Sequence, residues 1–247
     1  MSDRTLRFVG VATSPRPGGS TERLATTALD AAASFARHHG YNAETDLVSL
    51  AGKRISPCTA CMACSRNNTY CVIQDDWREA IERLIDPVPD GLVFAVPVYF
   101  GNHNALARAF IERCHCLVVR WWSPEFPYEV PDFSRTAAGA LAIGGDRNGG
   151  QEPTILTTLQ WFFHMGFVAV GGHPNIGAAS WSQQPDNHVN GIEDVLGRES
   201  ASLLGARVSK LAILLREGAR AAKLPQLDKR NMEYSFSWGV SPGERYW

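Results

Sequence analysis

Four cysteines near residue 60 have a spacing that could bind a metal centre. They are Cys58, Cys61, Cys64 and Cys71, in the pattern C-x2-C-x2-C-x6-C. The two short spacings bring three thiolates to one side of a tight loop, and the fourth arrives after one more turn. Such a loop presents four soft ligands without help from elsewhere in the chain. A centre of this kind would indicate a protein that handles electrons.

Two other interpretations of the cysteines stay open at this point. Four thiolates also satisfy a tetrahedral zinc site, although structural zinc sites usually pair two separate C-x2-C knuckles. Cys58 and Cys61 could instead act as a metal-free redox dithiol. The overlapping spacings are closer to the ferredoxin type and therefore favour an iron-sulfur centre. Cys114 and Cys116, close together further along the chain, are expected to be buried thiols and not ligands.

A second segment has the composition of a phosphate site. A short apolar run ends in SPRPGGST, residues 14–21. Hydroxyl groups, glycine amides and the start of a helix would converge there on a pocket for a phosphate monoester. The pattern is neither G-x-G-x-x-G nor a Walker A loop, which disfavours dinucleotides and ATP. The alternative is a glycine-rich turn in which Ser20 or Thr21 is the N-cap. The candidate residues are Ser14, Arg16, Gly18, Ser20 and Thr21.

Two further loops could hold a flat heterocycle. The first follows a long apolar run and contains aromatic residues, which suit contact with a ring. The second is rich in glycine, which lets backbone approach a ligand closely. A strand end with an aromatic cap is the alternative interpretation of the first loop. The candidates are Pro97, Val98, Tyr99, Phe100, Gly101 and Asn102 in the first loop, and Gly145, Asp146, Arg147, Gly149 and Gly150 in the second.

The elements that must position these loops alternate between strands and helices. Apolar runs predict strands at residues 6–13, 42–50, 91–98, 136–143 and 167–170, with helices between them. This order predicts a parallel α/β sheet covered on both faces. Ligands of such folds bind beyond the carboxyl ends of the strands, where all three loops lie. The connection at residues 51–75 is long for such a fold, and a metal centre would explain its length.

Composition excludes some classes of function. The chain has 247 residues, of which 45% are hydrophobic and 20% charged, as in an ordinary globular protein. A formal net charge of -1 gives no support for a nucleic-acid or anionic-membrane partner. No apolar run approaches the roughly 20 residues that span a bilayer. Clustered cysteines without a secretion signal predict a cytoplasmic protein.

Three motifs bring a known family into view. The motifs are S-x-R-x-x-x-S-T, then P-V-Y-x-G-N followed by A-x-A-R-A-F-I-E-R, and G-G-x-R-x-G-G-Q-E. They resemble motifs of the NADPH-dependent FMN reductase superfamily of flavodoxin-like proteins. The resemblance runs from about Leu6 to Gly171. The cysteine motif followed by Asp75 and Asp76 resembles the iron-sulfur flavoprotein branch, which carries FMN and a [4Fe-4S] cluster. The segment SRNNTYC lacks the glycine often found before the fourth cysteine, so that turn is expected to differ.

The resemblance implies a flavodoxin-like doubly wound sheet of five parallel strands in the order 2-1-3-4-5. It assigns the phosphate-loop candidates to the FMN phosphate, the two ring loops to the isoalloxazine, and the four clustered cysteines to the cluster. Residues 1–220 would form the FMN-binding domain with its cysteine loop at 51–75. Residues 221–247 would form a C-terminal tail that contributes to an interface.

The expected function is electron transfer through FMN and the [4Fe-4S] cluster, with a redox protein such as a ferredoxin, or NAD(P)H and quinone, as partners. No catalytic acid or base is expected. The alternatives are an NAD(P)H-dependent FMN or quinone reductase without a functional cluster, and a zinc-stabilised binding module. Because the cysteine loop follows strand two while FMN lies between strands one and three, a homodimer or homotetramer is expected to bring one subunit's cluster toward its neighbour's flavin. The interface candidates are the Trp121-Trp122 insert and the tail.

Overall fold

The computed structural model describes residues 4–67, 69–118, 131–145, 149–172, 178–181 and 194–224. Strands and helices alternate along them as predicted. The strands are β1 Thr5–Ala12, β2 Asn42–Ser49, β3 Gly91–Tyr99, β4 Asn102–His103, β5 Ala137–Gly144, β6 Val168–Val170 and β7 Ala178–Trp181. The helices are α1 Ser20–His38, α2 Ala63–Arg66, α3 Trp77–Ile85, α4 Ala105–Arg113, α5 His115–Val118, α6 Gln151–Met165 and α7 Val195–Ala221.

The main sheet is parallel and has the strand order β2-β1-β3-β5-β6. This is the predicted order 2-1-3-4-5, because β4 is only a short antiparallel partner of β3. The fifth position holds two strands, since β6 pairs with the first half of β5 and β7 with the second half. Apolar runs do not predict β4 or β7, because two and four residues are too short to show a periodicity.

Small residues let a helix pack closely on the centre of the sheet. Strand β5 has the sequence AAGALAIG and is buried throughout. A Cβ on Gly139 would lie 2.9 Å from a methyl carbon of Leu204, and one on Gly91 would lie 2.7 Å from Val208. Both partners belong to α7, which together with α1 covers one face of the sheet. Helices α3, α4 and α6 cover the other face, around an aromatic cluster of Phe94, Phe110 and Trp161.

The helical segment after β4 is interrupted, because a break at Cys114 separates α4 from α5. The Trp121-Trp122 insert, Asp146, Arg147 and the tail beyond Leu224 lie outside the described residues. Within the described part of the chain, no helix has the length and apolar character that crossing a membrane requires.

Candidate cofactor sites

The turn between β1 and α1 presents buried hydroxyl groups beside a helix start. Ser14, Ser20 and Thr21 are all buried, and the Ser14 hydroxyl accepts a hydrogen bond from the Arg16 N–H at 3.1 Å. Gly19 is the N-cap of α1, so the first turn of this helix has no side-chain cap. The alternative that Ser20 or Thr21 caps the helix is therefore wrong. Uncapped first-turn amides beside buried hydroxyls are suited to an anion.

Two charged side chains of α1 hold the outer part of this turn. Gly18 has a φ of +65°, and its N–H donates to Glu22 Oε2 at 2.6 Å. The Arg23 Nε donates to the Gly18 carbonyl at 2.9 Å. The second oxygen of Glu22 accepts a hydrogen bond from the Ser49 hydroxyl at the end of β2. Sequence reasoning missed Glu22, because a first-turn acid is also an ordinary partner for a helix dipole.

The inner part of the turn is attached to the neighbouring strand. The Thr13 N–H and hydroxyl both donate to the Ala95 carbonyl, at 3.0 and 3.1 Å. Asn104 donates from Nδ2 to the Thr13 carbonyl at 2.8 Å, while its Oδ1 accepts from the Ala107 N–H as the N-cap of α4. One buried asparagine therefore connects the predicted phosphate loop to the helix that follows the first ring loop. Its position before a helix was the available signal for the capping role.

The first ring loop is a tight hairpin. Tyr99 pairs with Asn102, which leaves a turn of two residues, Phe100 and Gly101, with φ angles of +48° and +77°. Two positive φ angles characterise a type I′ turn, which normally takes Asn or Gly at its first position. A bulky side chain with a positive φ is an outlier. Phe100 is nevertheless fully exposed at the tip, so the hairpin displays an aromatic ring.

The second ring loop contacts this hairpin directly. Gly150 has a φ of +111°, and a Cβ there would lie 2.4 Å from the Cα of Gly101. Gly149 donates its N–H to Gln151 Oε1 at 2.8 Å, and α6 begins at Gln151. The two loops therefore lie side by side, and their binding of one ring between them stays a prediction. Gly145, at the end of β5, has open space where a Cβ would be.

His103 anchors the hairpin from behind. Its Nε2 lies 2.8 Å from the Thr158 hydroxyl of α6, and its backbone N–H donates to Asn102 Oδ1. Burial, together with the positive charge of Arg108, lowers the pKa of His103 to about 4. The imidazole is therefore neutral at neutral pH. The N-cap of α4 is the next residue, Asn104, and not His103.

The cysteine loop lies between β2 and α3 and curls tightly where the cysteines are densest. Ala60 and Met62, on either side of Cys61, have φ angles of +53° and +57°. The Ala60 N–H points at the Cys58 sulfur, at 3.4 Å. Arg66 of the short helix α2 donates to the Cys61 carbonyl at 2.6 Å. Left-handed residues thus produce the reversal that the short spacings predict.

All four clustered cysteines line one cavity, which opens to solvent. Cys61 is exposed and the other three are partly buried. Among the described residues, no three or more Cys, His, Asp or Glu side chains form a group that could hold a single metal ion as they stand. Further lining comes from the end of α4 and the start of α5, namely Arg113, His115 and Cys116.

Hydrogen bonds and burial act differently on the thiols. The Ala63 N–H and the Thr59 hydroxyl, which point at the Cys61 sulfur, lower the pKa of Cys61. Burial and the neighbouring cysteines raise the pKa of Cys64. Cys114 and Cys116 are buried as expected, but the lining position of Cys116 was not predicted.

The comparisons with known proteins agree with this fold. Residues 6–180 match the family described as NADPH-dependent FMN reductase, and the chain belongs to it. A WrbA-like flavodoxin from Agrobacterium tumefaciens has a similar structure, with a TM-score of 0.52, 17% identity, and coverage of 84% of this chain and 98% of that one. The protein therefore has a flavodoxin-like fold and is a flavoprotein oxidoreductase that uses FMN.

Within that family, the chain belongs to the iron-sulfur flavoprotein branch. It is 32% identical to the iron-sulfur flavoprotein of Methanosarcina thermophila over 80% of this chain and 90% of the relative. It is 37% identical to an iron-sulfur flavoprotein of Archaeoglobus fulgidus over 71% of this chain and 83% of the relative.

Proposed function

We propose that this protein transfers electrons between FMN at the carboxyl edge of the sheet and a [4Fe-4S] cluster held by Cys58, Cys61, Cys64 and Cys71. The observation that carries the proposal is the single cavity lined by all four of these thiols, in a chain that has the fold of an FMN protein. The spacing of these cysteines in the sequence and their shared cavity in the folded loop both support this set of ligands.

The FMN part of the proposal uses the turn and the two loops in contact. The phosphate would lie among the buried hydroxyls of Ser14, Ser20 and Thr21 and the first-turn amides of α1, with Arg16 as a cationic partner. The isoalloxazine would lie between the hairpin at 97–102 and the glycine loop at 145–150. The exposed ring of Phe100 is available to cover it.

The cluster part of the proposal rests on the chemistry of the donor set. Four thiolates are the usual ligands of this cluster, one for each iron, so the ligands surround a volume and need not meet at a point. A cavity lined by four separate thiols suits that requirement. Backbone N–H groups directed at Cys58 and Cys61 resemble the hydrogen bonds that adjust cluster potentials.

When both groups are bound, FMN exchanges electrons in pairs or singly and the cluster exchanges them singly, which would connect two-electron donors to one-electron acceptors. The chain's own part is to bind both groups and to bury their edges, and we assign no catalytic acid or base to the exchange. We assign NAD(P)H or quinone to the flavin side and a ferredoxin-like protein to the cluster side. We assign the activity to the cytoplasm, where thiols stay reduced.

We also propose a homodimer or homotetramer in which one subunit's cluster approaches its neighbour's flavin. The cysteine loop follows β2 at one side of the sheet, whereas the ring loops follow β3 and β5. Sedimentation of the holoprotein tests this. A monomer with fast exchange between flavin and cluster would contradict it.

The experiment for the proposed function is an anaerobic purification followed by an absorption spectrum and by flavin, iron and acid-labile sulfide analysis. We expect one FMN with about four iron and four sulfide per chain. Flavin without iron, together with turnover of NADPH and a quinone, would favour the reductase alternative, which the family match supports. Zinc in colourless protein would contradict both.

A further inference from the structure

The end of α4 carries a buried cation next to the cysteine cavity. The side chain of Arg113 is fully buried and lines the cavity with the four clustered cysteines. Its Nη1 donates to the Ser56 carbonyl at 3.1 Å and its Nη2 to the Ile73 carbonyl at 3.0 Å. These two carbonyls belong to opposite ends of the cysteine loop. One guanidinium group therefore joins both ends to the sheet domain.

The loop ends are also joined to each other. Asp75 accepts hydrogen bonds from Arg113 Nη1 and from the Ser56 N–H, both at 2.8 Å. Arg54 donates its N–H to Asp76 Oδ2 at 2.6 Å, and the Asp76 N–H donates to the Arg54 carbonyl at 3.1 Å. We call residues 54–56 and 73–76, with Arg113, the loop base. Because the described residues between them form one short helix and no strand, the base determines where the cysteines of the loop lie.

Arg113 also affects the charge of the cavity. Its Nε is buried, with no hydrogen-bond partner among the described residues. Burial alone would lower the pKa of Arg113, but the hydrogen bond to Asp75 and the proximity of Cys71 raise it above its ordinary value. Burial would raise the pKa of Asp75, but its bonds to Arg113 and to backbone N–H groups lower it overall. Both side chains are therefore charged at neutral pH.

We infer that Arg113 is a positioning residue of the cluster site. Its guanidinium group holds the loop base closed. It also places a permanent positive charge beside Cys71, and this charge raises the reduction potential of the cluster. This inference rests on the proposed function. A cluster with four thiolate ligands is an anion and becomes more negative on reduction, so a nearby cation stabilises the reduced form more than the oxidised form.

The same reasoning predicts that substitutions of Arg113 and Asp75 shift the midpoint potential of the cluster in opposite directions. Loss of the positive charge in Arg113→Gln should lower the midpoint potential. Loss of the negative charge in Asp75→Asn should raise it, since the arginine would then be uncompensated. Arg113→Lys keeps the charge but not the fork of donors that reaches two carbonyls, and should keep the potential while loosening the base. A purely structural contribution does not produce shifts of opposite sign.

The experiment compares these variants with Arg216→Gln, a matched control. Arg216 is in a partly buried ion pair with Asp90, at 2.6 Å, and also donates to a backbone carbonyl, but it does not line the cavity. Three quantities are measured on each protein: FMN per chain, the cluster midpoint potential by anaerobic titration, and amide hydrogen exchange of residues 54–76 in cluster-free protein. We expect exchange about tenfold faster or more in Arg113→Gln and Arg113→Lys, and no change in the control.

The outcomes separate this inference from the proposed function. If the wild type holds a cluster but the potentials of Arg113→Gln and Asp75→Asn stay the same, or move in one direction, the charge contribution is wrong. If loop exchange is unchanged in both Arg113 variants, the positioning contribution is wrong. If the wild type contains no iron, the proposed function fails and the charge contribution fails with it, while exchange still decides the positioning contribution. Normal FMN content shows that a variant has folded; if Arg113→Gln fails this check, Arg113→Lys and Asp75→Asn decide.

Discussion

The edge that would hold FMN is built from strand ends and glycine contacts, whereas the cysteine cavity is built from a long loop that a buried ion pair closes. At the first site, Gly101 and Gly150 touch through their backbones, and Asn104 connects two loops that follow adjacent strands. At the second, Arg113 and Asp75 hold the base of the loop. The comparison suggests that the flavin edge is determined by the sheet and the cysteine cavity by a few side chains. The two should therefore fail independently.

The largest expected effect separates the two sites completely. Cys64→Ser removes a thiol ligand and should abolish assembly of the four-iron cluster, while FMN per chain stays at the wild-type value. Iron, sulfide and flavin analysis of anaerobically prepared protein measures this. Cys114→Ser is the control, because that thiol is buried, does not line the cavity and donates to the Phe110 carbonyl. Equal iron in the two variants would contradict the assignment of ligands.

Gly150→Ala should disrupt the flavin edge and leave the cysteine loop intact. The new Cβ would meet the Gly101 backbone at 2.4 Å in a residue with a φ of +111°, so unfolding free energy should fall by about 4 kcal/mol. FMN should bind weakly, while the cysteine loop keeps its iron.

Gly166→Ala is the matched control at the other end of α6. It also has a positive φ, +82°, but nothing lies near the added carbon, so it should cost about 1–2 kcal/mol. Denaturant unfolding and flavin titration measure both variants. If they behave alike, the glycine contact does not determine the edge.

His103 makes the flavin edge sensitive to acid. Its pKa is about 4 in the folded protein and about 6.5 in the unfolded chain, so the unfolded state takes up the proton first as pH falls. Stability is full above pH 6.5 and declines as pH falls toward 4, by up to about 3 kcal/mol. His103→Gln should flatten the decline between pH 7 and pH 4.5. Denaturant unfolding at several pH values shows the difference.

The smallest expected effect concerns the tip of the hairpin. Phe100→Asn places a residue that type I′ turns prefer at a φ of +48°, so FMN-free protein should become more stable by about 1 kcal/mol. FMN affinity should fall several-fold, because the ring contact is lost. Thermal unfolding and flavin titration measure the two effects. Higher stability with unchanged affinity would show that Phe100 does not cover the ring.

The strands and the loops at their ends could be predicted from the sequence, because continuous apolar runs such as GLVFAVPV leave little choice of structure. The strand order was implied by the family resemblance. The hairpin at Phe100 and Gly101 could not be predicted, since the usual Asn-Gly signal is absent and the strain is accepted only in the folded context. The four clustered cysteines line one cavity, and their role as metal ligands stays a prediction. Arg113 was not predicted, because an arginine near the end of a helix is normally solvated, and its burial depends on a loop that lies far away in sequence.

The closed base of the cysteine loop has a consequence for divergence and for design. Since residues 54–56 and 73–76 are bonded to each other and to Arg113, the segment between them begins and ends at nearly the same place. A segment of this kind can be exchanged for a short turn without displacing the strands on either side. We therefore expect that the cysteine loop can be removed or transferred as one segment. Grafting it, with its arginine, onto a simpler relative of the same fold is a direct way to add a second redox centre.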